Sequence, residues 1–472
     1  MMEGGETATG SDPSRPDVRH ASFRLTWSET LLLLVLAAVQ FTHIVDFVII
    51  MPLGPRMKDG LGLNLDQFNY IVAAYAFSAA IAGLLAAFIM DRFNRKHLLF
   101  VLYTGFVVGT GLCAVAPNYP MLLAARVVAG AFGGVGASLT LAIVGDAFHD
   151  SRRGTAMGIL MSAFSLASIF GLPAGLEIAR LFNMWQAPFA GLACAGAGVL
   201  VLIQLVLPSL PAGAHGGHPV GAVEVLRRFL TVLLRPAHLL AYVFMTALVM
   251  GTFTIVPSLA TYLVKNVGIN GDYLELVYFC GGLATLLTQT LVGRLSDRLG
   301  KRPVFRVMAA FTIVPILLIT NLPPGLSLWL ALAATTLFMI TTSGRMVPAM
   351  ALITASSEPR FRGAFMSINS AVQQMAMALS AVVAGLMMGE TESKTLTGYP
   401  TVGYVAAGVT LLTVFMVSLL RPAPRGDAAV VGVEASTSEA LTDAESSDEI
   451  PTMEATGIMR KQTADAVRAS AD

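Results

Sequence analysis

The sequence predicts an all-α polytopic membrane protein in which twelve transmembrane helices form two pseudo-symmetric bundles of six. Three observations predict it. Of 472 residues, 55% are hydrophobic and 12% charged, with a mean hydropathy of +0.71, a composition that suits a bilayer and not water. Twelve apolar runs each reach roughly 20 residues, the length of helix that crosses ~30 Å of hydrocarbon. Finally, Gly293-Arg-Leu-Ser-Asp297-Arg298-Leu-Gly300-Lys301-Arg302 repeats the pattern of Ala87-Phe-Ile-Met-Asp91-Arg92-Phe-Asn94-Arg95-Lys96 about two hundred residues earlier, at a corresponding place between long runs, which marks an internal duplication.

Residues 1–26 mix acids, bases, Gly and Pro without an apolar core, so they read as a cytoplasmic tail and the run from Glu29 itself directs insertion. Runs near 29–52, 67–90, 97–116, 119–147, 154–181 and 187–208 make an N-terminal bundle, 27–208. A Gly/Pro/His-rich cytoplasmic linker, 209–236, follows; within it Val220–Arg235 reads either as a tether or as a short amphipathic helix with Arg227 and Arg228 toward anionic headgroups. Runs near 237–262, 273–293, 303–321, 326–352, 363–389 and 400–420 make the second bundle, 237–420. The tail, 421–472, holds ten acids against five bases and is expected to be disordered. A second echo supports the duplication: Arg153-Gly154-Thr-Ala-Met157-Gly158 opens the fifth run and Arg362-Gly363-Ala-Phe-Met366-Ser367 the eleventh.

Charge fixes the expected orientation. The loops after runs 2, 4, 6, 8 and 10 carry fifteen bases, whereas the alternate loops carry five: Arg56, Lys58, Arg180, Lys265 and Lys394. That asymmetry places both termini in the cytoplasm and accounts for the basic excess without a nucleic-acid partner. Trp27, Trp185 and Trp329 fall at run ends, where an indole prefers the headgroup level. Cys113, Cys194 and Cys280 form no CxxC and read as buried free thiols; no metal or cofactor signature is present.

On these residues the chain resembles the major facilitator superfamily, and within it the twelve-span drug/proton antiporter branch that includes drug and sugar efflux permeases. The resemblance runs from about Glu29 to Arg421. That family carries a G-x-x-x-D-R/K-x-G-x-R/K-R/K loop between spans 2 and 3, often repeated between spans 8 and 9. The second copy here fits at Gly293, Asp297, Arg298, Gly300 and Arg302, with Lys301 beside them. The first keeps Asp91, Arg92, Arg95 and Lys96 but has Ala87 and Asn94 at glycine positions. Asn94 is expected to tolerate a left-handed turn and Ala87 to loosen a helix contact. The loop reads as a conformational latch, with Asp91 facing bases or a helix N-terminus and Arg92 facing acids such as Asp146, or as inside-positive charge alone.

Ionisable groups deep in a bilayer are costly and mark function. Gln40, His43 and Asp46 recur every three residues in run 1 and are expected to line a cavity, with Asp46 about nine residues, or ~14 Å, below the outer end marked by Pro55. Arg126 falls at nearly the same depth in run 4, so the two are expected to pair across the N-terminal bundle. Arg126-Val-Val-Ala-Gly130 also looks like the family's span-4 signature, whose arginine is linked to proton coupling; Gly130, Gly133, Gly134 and Gly136 would let span 4 approach its neighbours. The pair reads as proton-coupling or as purely structural, and His43 as a relay or a hydrogen-bonding wall residue. Arg345 should face the pathway or pack on backbone carbonyls, and Glu177 should pair locally with Arg180. Tyr75, Thr252, Thr254, Asn369, Gln373 and Gln374 are further cavity candidates. Gly171, Pro173 and Gly175 look like the branch's antiporter signature in span 5, with Ala167 and Leu172 departing from it, and read as a hinge.

The expected function is export of a small amphipathic molecule across a bacterial inner membrane, in exchange for protons, by a monomer that needs no cofactor and is not an enzyme. An importing symporter or facilitator is the first alternative. A receptor or membrane enzyme is the second, and the latter lacks any Walker, zinc or nucleophile-elbow signature.

Overall fold

The computed structural model describes residues 26–86, 93–148, 150–208, 227, 230–358 and 361–421. Among them, twelve helices are long and apolar enough to cross a membrane. Spans 1 to 6 are Trp27–Ile49, Leu65–Ala86, Arg95–Ala114, Tyr119–Gly145, Ala156–Leu181 and Ala187–Val206. Spans 7 to 12 are Pro236–Val267, Gly271–Leu299, Lys301–Thr320, Leu328–Ala355, Arg362–Met387 and Tyr399–Met416. Residues 1–25, most of the linker and the tail from Pro422 lie outside the described residues, so the expectations for them are untouched.

Local chemistry starts these helices. At span 1, Thr26 accepts from the Glu29 backbone N–H while the Glu29 carboxylate takes the Thr26 N–H at 2.8 Å, a capping box. Asn118 caps span 4 through Met121 N–H at 3.1 Å. Asn94 behaves likewise at span 3, accepting from Lys96 N–H at 3.0 Å with φ of −59°, so it is a helix cap and not the left-handed turn expected of it. Gly300, its counterpart in the second copy, does stand at φ of +90°. A side chain that caps replaces a backbone that must turn, and this is why the motif tolerates Asn in one copy.

The cap helix, Gly54–Leu61, is an element that the apolar runs do not reveal. It follows span 1 after a turn and starts with Pro55 in its first turn. Span 1 therefore ends at Ile49, and Asp46 lies three residues from that end, not nine residues below Pro55. The bilayer end carrying this helix is the cap end; the opposite one is the base-rich end. At the base-rich end each half keeps its own apolar core: Leu36, Leu99, Ile143 and Ile203 in spans 1–6, and Phe244, Phe305, Ile353 and Phe365 in spans 7–12. At the cap end a single core crosses between the halves, uniting Ile49, Phe68 and Leu172 with Leu259, Ile316 and Tyr399. Span 2 packs along span 11, and span 5 along span 8.

Two tryptophans follow expectation in being 81% (Trp27) and 72% (Trp329) exposed, but Trp185 is 6% exposed, stacked edge-on to Phe189 and seated against Gly60 of the cap helix. Its indole is used to cover that helix, not to meet headgroups. Of the three thiols, Cys113 is buried, Cys280 half-buried and Cys194 exposed, because span 6 turns part of its surface outward. The expectation of three buried thiols therefore holds for one.

Candidate functional site

The Asp46 carboxylate and the Arg126 guanidinium are both fully buried and meet at 2.9 Å. Arg126 Nη1 donates also to the Asp46 backbone carbonyl at 3.1 Å, and the Thr110 hydroxyl donates to the second carboxylate oxygen at 3.0 Å. Arg126 lies 4.4 Å over the Tyr75 ring. Sequence reasoning misses Thr110: a lone threonine in an apolar run carries no signal until span 3 is packed beside span 1. The close approach of span 4 is made by its glycines, since a Cβ at Gly134 would lie 2.9 Å from the Ala79 backbone of span 2, and one at Gly130 would strike the Tyr75 carbonyl.

A cavity of about 430 Å³ lies between the halves and draws its lining from spans 1, 2, 4, 5, 7, 8, 10 and 11. Gln40, His43, Tyr75, Thr252, Arg345, Gln373 and Gln374 line it as expected. Asp46, Thr254 and Asn369 do not. A three-residue spacing slips about 60° per step on a helix of 3.6 residues per turn, so Asp46 stands about 120° round from Gln40 and turns back toward Arg126. Thr254 donates to the Met250 carbonyl at 2.8 Å, and Asn369 is 1% exposed within the helix packing. His43 is 4% exposed, its ring edge-on to Phe106 at 4.3 Å, and neither ring nitrogen has a hydrogen-bond partner. Phe47 of span 1 stacks on Phe253 of span 7 at 6.3 Å across the two halves.

Ion pairs between the halves gather at the cap end. Lys58 Nζ meets Glu390 at 2.6 Å, Arg56 meets Asp272 at 3.0 Å, and Asp59 is held between Lys394 at 2.8 Å and Lys265 at 3.1 Å. Burial pushes the Lys58 ammonium below its usual range even with Glu390 beside it. Burial alone would raise Asp59, but its two lysines outweigh this and hold the carboxyl below the usual range. Four of the five bases on the base-poor side of the sequence are thus the cations of these pairs between the halves. Their scarcity is the available signal, yet their acidic partners lie hundreds of residues away in the chain. Asn69 of span 2, 1% exposed, packs against Gly385 of span 11, and neither of its amide atoms has a partner.

At the base-rich end, Arg152 pairs with Glu29 at 2.8 Å within the first half, and Arg235 with Glu358 at 2.6 Å within the second. Lys96 donates to the Gln204 carbonyl at 2.8 Å, and Arg302 donates to the Leu420 carbonyl. Asp297, Arg298 and Lys301 are exposed. Gly293 has ordinary room: a Cβ added there would meet its nearest neighbour, a Val347 methyl, at 3.9 Å, so an alanine such as Ala87 costs this motif little at that position. Arg95 engages other groups near it, whereas Asp91, Arg92 and the side chain of Asp146 lie outside the described residues.

Span 5 carries a π-turn, Ala167–Gly171, in which the Leu172 N–H reaches back to the Ala167 carbonyl just before Pro173. Gly171 and Gly175 let this segment rest on Val45 and Ile49 of span 1. Gly282 of span 8 approaches it from the other half: a Cβ there would lie 2.9 Å from the Ser168 backbone. Glu177 and Arg180 form a local pair at 2.6 Å.

The Major Facilitator Superfamily model matches the chain twice, over residues 36–256 and 241–462. The chain is 25% identical over 358 residues to the uncharacterized MFS-type transporter YceJ of Bacillus subtilis, covering 75% of this chain and 88% of that one. It is 26% identical over 382 residues to the inner membrane transport protein YdhP of Escherichia coli, covering 79% and 92%. A probable sugar efflux transporter of Mannheimia succiniciproducens matches at 24% over 51% of this chain and 58% of its own length. Among solved structures, a D-xylose–proton symporter superposes with a TM-score of 0.68 at 15% identity, covering 83% of this chain and 98% of that one. A bacterial homologue of the human lysosomal transporter Spinster, in an inward-facing conformation, gives 0.63 at 16%, covering 85% and 100%. The repeated loop, the twelve spans and the central cavity are those of a multi-pass transporter, and the chain belongs to the Major Facilitator Superfamily.

Proposed function

We propose that the protein exports a small amphipathic molecule across the cytoplasmic membrane in exchange for protons, by alternating access. The observation that carries this reading is the Asp46–Arg126 pair: a fully buried acid and base set behind Tyr75, whose ring is at once under the guanidinium and on the cavity wall. A proton on Asp46 removes the charge that holds Arg126, and so couples the cavity to packing between spans 1, 3 and 4. His43 stands one turn before Asp46 on the cavity wall with two unpartnered ring nitrogens, in position to pass that proton.

The base-rich end is assigned to the cytoplasm by its charge, so in this reading the ion pairs of the cap end act as a gate that closes the outer side, and the cavity serves the inner one. Opening the cap end requires the four ion pairs to part; in exchange, the Asp91–Arg92 and Asp297–Arg298 loops close the inner side as a latch. The π-turn before Pro173, facing Gly282, is the place where span 5 flexes. The protein acts as a monomer with both termini cytoplasmic. Export is favoured over import by the efflux relatives.

A susceptibility and transport panel in an efflux-deficient host, comparing the wild type with Asp46→Asn, identifies a cargo. Inverted vesicles then decide direction: an acidic lumen drives cargo accumulation if protons are exchanged for it, and no accumulation under that gradient overturns the proposal in favour of symport.

A further inference from the structure

We infer that the cargo is an organic anion, with its acidic headgroup on Arg345 and its apolar body along the Phe and Met side chains of the cavity. This rests on the reading of the central cavity as the cargo site. Arg345 is 1% exposed, near the middle of span 10, and lines the cavity. Its three hydrogen bonds go to neutral groups: Thr252 Oγ1 at 2.7 Å, Thr410 Oγ1 at 3.0 Å and the Leu248 carbonyl at 3.3 Å. Among the described residues it has no acidic partner. Arg126 is equally buried but has Asp46 at 2.9 Å. Neutral dipoles orient the Arg345 guanidinium without cancelling its charge, and a bare cation at this depth is costly until a counter-charge arrives.

The rest of the lining decides the sign of what arrives. Arg345 is the one Asp, Glu, Lys or Arg among the described lining residues, so the wall is positive with no competing carboxylate to receive a cationic cargo. The wall opposite adds a neutral polar contact. His43 stands sixteen residues into span 1 and Thr252, which Arg345 holds, stands sixteen residues into span 7, so the duplication places them at equivalent depths on facing halves. A neutral imidazole offers one donor and one acceptor, and both nitrogens of His43, buried just behind the wall, have no protein partner that a cargo group would have to displace. Between them Phe47, Phe253, Met339, Met346 and Met377 supply an apolar surface that adapts to shape. The volume of about 430 Å³ holds one drug-sized molecule. A carboxylate, sulfonate or phenolate on an aromatic or short aliphatic body meets all of these at once.

Calorimetric titration of the purified full-length protein with matched probes tests this. Naphthoate, naphthamide and naphthylmethylammonium share one body; hydrocinnamate, hydrocinnamamide and phenylpropylammonium share another. The acid of each set is expected to bind about tenfold or more tightly than its amide, as a charge-assisted hydrogen bond requires, and the ammonium weakest. Arg345→Met is expected to erase the difference between acid and amide, and Arg345→Lys to keep part of it. Should Arg345→Met fail to fold, the wild-type ranking and Arg345→Lys still decide. Equal binding of the three headgroups, tighter binding of the ammonium, or no binding by any probe overturns the inference. Gln373→Trp, which fills the cavity, separates the two readings. If it abolishes binding that is indifferent to headgroup charge, the cavity is the cargo site and the anion inference fails. If it leaves tight acid binding intact, the cavity reading itself fails.

Discussion

Replacing Asp46 by Asn preserves the shape of the side chain and removes its charge, leaving a fully buried Arg126 with hydrogen-bond acceptors but no counter-ion. Removing one member of a buried pair typically costs about 3–5 kcal/mol, because the remaining charge keeps its desolvation cost without the attraction that offset it. Replacing both members by apolar groups, as in Asp46→Leu with Arg126→Met, removes both terms and is expected to return stability to within ~1 kcal/mol of wild type. The coupling across such a cycle should therefore reach about 3 kcal/mol or more, measured by denaturant unfolding in mixed micelles. Transport separates the structural role from the coupling role. With a cargo from the host panel, Asp46→Asn proteoliposomes should still exchange labelled for unlabelled cargo without a gradient, yet fail to accumulate it under an imposed pH difference. Full pH-driven accumulation by Asp46→Asn would refute the coupling assignment, and a coupling energy near zero would refute the claim that the pair is held by its charges.

The remaining expectations concern the gate, the switch segment and the support of Asp46. Glu390→Gln strands the Lys58 ammonium, which is 2% exposed, and should weaken cap-end closure by about 3 kcal/mol, read as loss of crosslinking between cysteines placed at Asp59 and Lys265; unchanged crosslinking would show that the pair does not hold the halves. The pH dependence follows from both gate groups. Asp59 has its carboxyl lowered in the closed form, so its contribution is full above the free-Asp pKa of about 3.9 and is lost as pH falls through the lowered value. Lys58 is lowered too, so closing releases its proton and is favoured further as pH rises toward the free-Lys pKa of about 10.4. Acid therefore loosens the gate and alkali tightens it, and the opposite trend in the distance between spin labels placed at Phe182 and Tyr273, exposed positions on the two halves that leave Asp59 and Lys58 in place, would contradict the assignment. Gly282→Val places its side chain against the Ser168 backbone and should slow exchange by about tenfold or more while cargo binding persists; wild-type exchange would remove the span 5–span 8 contact from the switching path. Thr110→Val should cost about 1.5–3 kcal/mol of stability through the lost hydrogen bond to a charged acceptor, checked by the same unfolding titration.

What the sequence made legible was periodic or repeated. Run length gave the spans because the bilayer imposes it, and the duplicated loop gave the two halves. Two lone ionisable groups of opposite sign in runs 1 and 4 foretold that Asp46 and Arg126 would meet, although the count of equal depth did not hold, since Asp46 lies three residues from the end of span 1 and Arg126 seven from the start of span 4. Azimuth was not readable to the same degree: the slip of a three-residue spacing around the helix turned Asp46 off the cavity wall on which Gln40 and His43 stand. Turns broke the ruler, as at Ile50–Leu53, where the chain doubles into the cap helix and the distance counted to Pro55 lost its meaning. Contacts between the halves were least legible. The Lys58–Glu390 pair joins residues 332 apart, and Gly282 matters through a neighbour from span 5 that no local pattern names.

Asn69 gives the cap end a property that its ion pairs alone would not. A carrier works only if neither of its shapes is a resting place too deep to leave, so a seal with every group matched would stall the cycle. The Asn69 amide, shut in against Gly385 without a partner, forfeits about 1–3 kcal/mol whenever the halves come together. In the proposed cycle, water regains access to that amide once they part. In that cycle the seal thus contains its own restoring force, which offsets part of the attraction of the charges around it and keeps the two shapes close in free energy.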